Sequence, residues 1–150
     1  MNKAKNSKTA EITIYSTQHD ISDETTETLY TGEYRFLADT HVISYEEFFQ
    51  EEGNPPAKTT TLIKIGEDFI HIAKKGAITT QMHFEPLKAY HGSYQTPFGT
   101  FALLIDTKHL AVCEQENEVQ ADIKYYLSLN NCPVSRCIIR IQIKIEKKKK

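Results

Sequence analysis

The chain of 150 residues is one domain in size, with 39% hydrophobic residues, 25% charged residues and a net charge of −2. That composition excludes a miniprotein dependent on disulfide staples and a nucleic-acid binder driven by bulk charge. No run approaches the ~18 apolar residues of a membrane span, and no apolar segment follows the basic start, so neither membrane insertion nor secretion is expected.

Residues 1–8 read as a disordered lead. Residues 9–18 alternate, with Ile12 and Ile14 on one face and Thr13 and Tyr15 on the other, which is the period of a strand. A polar turn at 20–24 leads into a second strand over 28–36. There Tyr30, Gly32, Tyr34 and Phe36 share a face, and Gly32 marks a bend or a close backbone approach. Ala38, Asp39 and Thr40 form a turn before a third strand over 41–49, although residues 45–52 also fit the start of a short helix.

Residues 51–57, with Gly53, Asn54, Pro55 and Pro56, form a loop. A threonine-rich strand over 59–65 turns at Gly66, Glu67 and Asp68 into a strand over 69–74. The Lys75-Gly76 turn then leads to a strand over 77–84, with Ile78, Thr80, Met82 and Phe84 on one face, and Glu85, Pro86 and Leu87 break it. Residues 89–96 and 100–106 form a hairpin around Pro97, Phe98 and Gly99. Proline suits the first turn position, and glycine can take the left-handed region that closes a type I turn with a G1 bulge. A slip of one residue there would turn every side chain of both strands to the wrong face.

A short strand over 109–114 and a polar turn over 115–118 follow. Residues 120–129 place Ile123, Tyr125, Leu127 and Leu129 on one face, and Asn130, Asn131, Cys132 and Pro133 turn the chain. In the last strand Ile139, Ile141, Ile143 and Ile145 alternate with Arg140, Gln142 and Lys144. Burying each of those isoleucines contributes roughly 1.5–3 kcal/mol before entropy is counted. Residues 147–150 are a basic tail.

The expected class is therefore all-β: one domain over 9–146, a closed antiparallel up-and-down barrel of about eight to ten strands whose first and last strands pair and so remove both edges. Charge is uneven along it. Residues 20–52 hold ten Asp or Glu against Arg35, and residues 136–150 hold seven bases against Glu146.

The chain resembles the YwiB-like family of bacterial proteins of unknown function over roughly residues 9–146. The likeness is carried by Ser44-Tyr45 with an acidic residue following, by Thr60-Thr61-Leu62-Ile63-Lys64, by Gly76-Ala77-Ile78 leading to Phe84, by Tyr94 with Phe98-Gly99, and by Tyr125. It implies a lipocalin-like (calycin) β-barrel and supplies no catalytic residues. The chain departs from the family at Lys74, where an arginine is usual. A lysine does not reproduce the bidentate arginine fork for a carboxylate.

No chemical motif stands out. The histidines His19, His41, His71, His83, His91 and His109 show no metal spacing such as His-x-His, although distant histidines can still meet in a barrel, and they are expected at the surface or at strand edges. The cysteines Cys113, Cys132 and Cys137 form no Cys-x-x-Cys and are expected as reduced thiols of a cytoplasmic protein. Neither a nucleophile elbow nor a phosphate loop occurs, so no enzyme activity, cofactor or metal is expected.

The tyrosines are the more informative group, because an apolar ring with a polar tip suits a pocket wall. A small barrel can either fill itself or hold one small ligand. The sequence reading is a cytoplasmic module whose barrel mouth takes a small, partly apolar ligand, with Tyr45, Lys64, Lys74, Tyr94, Thr96 and Tyr125 lining it. The tyrosines would stack and hydrogen-bond, and a lysine would neutralise an acidic group. The alternative is a self-associating or partner-binding scaffold with a filled barrel and no ligand, such as a homodimer, its acidic and basic regions making complementary contacts. No nucleic acid partner is expected.

Overall fold

A computed structural model describes residues 7–19, 24–49, 53, 57–132 and 135–146. The sequence readings for residues 1–6, 20–23, 50–52, 54–56, 133–134 and 147–150 lie outside this set.

Ten strands follow one another: β1 (Lys8–Gln18), β2 (Thr25–Leu37), β3 (Thr40–Phe49), β4 (Ala57–Ile65), β5 (Ile70–Gly76), β6 (Thr79–Phe84), β7 (Ala89–Thr96), β8 (Gly99–Gln115), β9 (Glu118–Leu129) and β10 (Ser135–Ile145). Each pairs antiparallel with its neighbours in sequence, and β1 pairs with β10 to close the barrel. That closure is the up-and-down meander expected from the alternating pattern. The segment from Tyr45 onward continues β3 as far as Phe49 and is not helical.

Two short turns show how local chemistry sets the strand ends. Leu37 pairs with Thr40, so Ala38 and Asp39 alone reverse the chain, both at positive φ, the geometry that matches strand twist in a two-residue hairpin. Thr96 pairs with Gly99 around Pro97 and Phe98, and Gly99 has φ +141°, a region closed to residues with a Cβ. The barrel thus has an upper end, where Pro97 and Phe98 turn, and a lower end, where Ala38 and Asp39 turn.

The sequence reading placed separate strands over 100–106 and 109–114. They are one strand, β8, carrying a bulge between Thr107 and His109. The extra residue, Lys108, reverses the alternation. Before it Leu103, Ile105 and Thr107 are buried, and after it the even-numbered Leu110 and Val112 pack against the core.

Two gaps interrupt the hydrogen-bonded wall. The β2–β3 ladder stops at Glu33↔Ser44, and the β6–β7 ladder contains only Thr79↔Gln95 and Thr80↔Tyr94. At the first gap the backbones cross tightly: a Cβ on Gly32 would lie 2.2 Å from the Ser44 carbonyl oxygen. The close approach expected at this glycine is present.

Candidate functional site

Inside the barrel, packing differs between its two ends. Toward the lower end and middle, Ile43, Ile65, Ile70, Phe84, Ile105 and Ile123 are fully buried against one another. Toward the upper end the side chains leave a cavity of about 400 Å³. Its walls are apolar, including Met82, Leu127 and Ile139, and its polar groups come from Ser16, Tyr45, Lys74 and Tyr94. The barrel is therefore partly filled and partly hollow. The volume lies within the ~300–1,000 Å³ range of small-molecule sites.

A buried polar cluster stands beside this cavity. Lys74 Nζ donates to Glu47 Oε2 at 2.5 Å, and Thr61 Oγ1 donates to the same oxygen at 2.7 Å. Tyr30 donates to Glu47 Oε1 at 3.3 Å, and its ring stacks on Tyr45 at 4.3 Å across the gap between β2 and β3. Burial pushes the Glu47 carboxyl up, but the bonds from Lys74 and Thr61 outweigh it and hold the group below its ordinary value. Burial, then the Glu47 charge, pushes the Tyr45 and Tyr94 hydroxyls up, so both stay protonated donors at neutral pH. The Tyr45 hydroxyl is already bonded to Thr61, so the donor that the cavity presents beside this compensated charge is Tyr94.

A second cluster lies at the lower end. His41 is buried, with Nδ1 2.7 Å from the Tyr34 hydroxyl and Nε2 bonded to Glu114. This histidine, expected at the surface or a strand edge, is instead buried, because the odd-numbered side chains of β3 turn inward. The contact joins β2, β3 and β8 and closes the barrel floor with paired polar groups. Burial and the Glu114 charge push the Tyr34 hydroxyl up, the opposite of activation as a nucleophile.

Of the six residues singled out from the sequence, Tyr45, Lys74 and Tyr94 line the cavity together. Tyr125 points inward but is fully packed, edge-on to Phe84 at 4.9 Å, with burial pushing its hydroxyl up. Thr96 serves the upper hairpin, accepting from Phe98 N at 3.0 Å and donating to Gly99 O at 3.2 Å. Lys64 faces outward, because its neighbours Ile63 and Ile65 are both fully buried. Glu47 was missed, hidden in an acidic run. Its parity with Ile43 and Tyr45 was the available signal.

On the outer wall Arg35, Val42, Lys64, His71 and His83 sit side by side on five successive strands, their registers matching pair by pair. With Phe69 they line a shallow groove of about 710 Å³. His71 Nδ1 and His83 Nδ1 are 3.0 Å apart, and His83 Nε2 is 2.9 Å from Glu85 Oε1. Among the described residues no cluster of three or more His, Cys, Asp or Glu is arranged to hold a metal, and no helix is long and apolar enough to cross a membrane.

The model of a family described as a domain of unknown function, DUF1934, matches residues 12–141. The chain is also similar to the ywiB protein from Bacillus subtilis, whose crystal structure gives a TM-score of 0.78 at 18% identity over 94% of each chain. At that identity the likeness shows a shared fold. No curated protein matches the chain.

Proposed function

From a chain that belongs to the DUF1934 family of unknown function, we propose a binding protein that takes one small, mainly apolar molecule into the upper half of its barrel. The observation that carries this reading is the 400 Å³ cavity, whose apolar walls are broken by Lys74, Tyr45 and Tyr94. An apolar body gains by leaving water for the isoleucine and leucine wall. Its polar end meets the protonated Tyr94 hydroxyl and the N–H groups of Lys74 not spent on Glu47. Because Glu47 compensates the lysine, a neutral acceptor such as a ketone, ester or amide suits the site better than the ionised acid expected from the sequence. An anion would face the Glu47 carboxylate a short distance beyond the ammonium.

The location that fits this role is the cytoplasm, since none of Cys113, Cys132 and Cys137 is joined in a disulfide. The scaffold reading has weaker support: Arg140, one of the bases meant to meet an acidic partner, already pairs with Asp122 at 2.7 Å.

The test uses Prodan, a naphthalene ketone whose emission moves to the blue on leaving water. Wild-type protein should bind it saturably at one site. Leu127→Trp fills the cavity from its wall and should abolish binding. Tyr94→Phe removes one hydroxyl and should weaken it about 2- to 10-fold, the range of a single hydrogen bond. Unchanged binding by a folded Leu127→Trp variant would reject the site.

A further inference from the structure

We propose that the facing imidazoles of His71 and His83, on the outer wall of β5 and β6, bind one divalent cation of the late first transition row, Zn²⁺ or Cu²⁺, with water completing its coordination. The site is separate from the cavity and does not depend on its reading.

The two residues lie directly opposite one another in the β5–β6 register and point out of the barrel into the shallow groove. Two nitrogens that each sit about 2.0–2.1 Å from one ion in cis or tetrahedral positions are about 3–3.4 Å apart. The His71 and His83 Nδ1 atoms, at 3.0 Å, already stand at that separation. An ion therefore needs a small swivel of two rings and no movement of the backbone.

The surroundings hold the rings in a ligating arrangement. Glu85 Oε1 lies 2.9 Å from His83 Nε2, and a carboxylate only accepts, so Nε2 carries the hydrogen and Nδ1 keeps its lone pair free. A carboxylate behind the far nitrogen is the support that metal-binding histidines commonly have. Lys88 holds Glu85 in turn, at 2.9 Å from its other oxygen. Phe69 stacks nearly parallel on the His83 ring, with centroids 5.8 Å apart and planes 18° apart.

On the other ring, Gln81 hydrogen-bonds the His71 imidazole. Its amide can either donate or accept. In the metal-free pair His71 Nδ1–H donates to His83 Nδ1. When the ion binds, that proton moves to His71 Nε2, and the proton count is unchanged. Imidazole nitrogen selects zinc and copper over calcium or magnesium, which prefer oxygen. With two protein ligands, and with Lys64 opposite His71 in the β4–β5 register, the site binds more weakly than one with three or four protein ligands.

Calorimetric titration of the full chain with Zn²⁺ in a non-coordinating buffer tests the site. One event at a ratio of one ion per chain is expected. His71→Asn and His83→Asn, which keep a planar polar side chain on the sheet, should each weaken it at least tenfold. Glu85→Gln should weaken it about tenfold, the lower end for a supporting carboxylate, and His91→Ala on β7 should leave it unchanged. The electron paramagnetic resonance spectrum of the Cu²⁺ adduct should show two imidazole nitrogens, and at most one in either asparagine variant. Wild-type protein that takes up no zinc, or His71→Asn and His83→Asn variants that bind it as wild type does, would overturn the site.

Discussion

Lys74 on β5 and Glu47 on β3 form an ion pair at 2.5 Å beside the cavity, with side chains only 23% and 12% exposed. The partner strand β4 lies between them and adds Thr61 to the same carboxylate. Three neighbouring strands are tied at one point, close to the place where the β2–β3 ladder stops.

Removing one partner should therefore cost more than removing both. Lys74→Met leaves Glu47 buried with an uncompensated charge and should destabilise the fold by about 1–3 kcal/mol, less than a fully buried pair because solvent still reaches the lysine. Adding Glu47→Leu should recover much of that loss. Urea unfolding of the two variants and the wild type decides it, and an additive double variant would show that the pair is not coupled.

The same carboxylate sets a pH dependence at the acid end. Its folded pKa lies below the ordinary 4.5, so the native state binds fewer protons than the unfolded chain. Its contribution is complete above that value and is lost as pH falls through the folded pKa. Glu47→Gln should flatten this part of the acid limb, read as thermal midpoint against pH from neutral down to about 3.

At the alkaline end the sign reverses. Tyr30 is pushed from 10.0 up to about 12, first by burial and then by the Glu47 charge, so the folded chain holds its proton longer than the unfolded one. Its share of stability is full below 10.0 and lost as pH rises toward 12. Absorbance at 295 nm should show the exposed tyrosines ionising first and Tyr30, Tyr45 and Tyr125 only as the barrel opens.

Gly32 should tolerate no side chain. A Cβ there would sit 2.2 Å from the Ser44 oxygen and 3.0 Å from the Tyr45 Cβ, and the oxygen belongs to backbone. Gly32→Ala should destabilise by about 3 kcal/mol or more, at the upper end of overpacking effects. A thermal midpoint equal to wild type would contradict the close crossing of β2 and β3.

Hydrogen exchange should expose the weak side of the wall. From Gln81 to Phe84 the β6 backbone has no β7 partner in the ladder, and Thr80 Oγ1 bridges to Ser93 O at 2.7 Å where pairing ends. Strand β10 is paired on both sides along most of its length. Those amides of Gln81–Phe84 and Ala89–Ser93 that face the gap, rather than β5 or β8, should exchange much faster than those of Ile139–Ile143. Equal protection would mean that the gap is closed in solution.

The alternation of Ile139, Ile141, Ile143 and Ile145 was enough to read β10, and similar patterns gave most of the other strands, because a half-buried strand writes its two faces into every second residue. The turns were legible for the same local reason: Gly99, and the pair Ala38 and Asp39, mark positions where few backbone shapes are open. Lys108 was not legible as a bulge, since an extra residue shows only when the partner strand is present. Tyr45, Lys74 and Tyr94 were named by residue type in one set with Lys64, Thr96 and Tyr125, and only strand parity, turn geometry and core packing tell the first three from the others.

Local chemistry along the chain was thus sufficient for an all-β barrel with its strands in sequential order. Tertiary structure alone decided that the lower half is filled and the upper half hollow, that Glu47 reaches Lys74, that His41 is buried against Glu114, and that His71 meets His83. Those relations join residues as many as 73 positions apart, and a pattern that repeats every two residues carries no record of which side chains share a level once the sheet has closed.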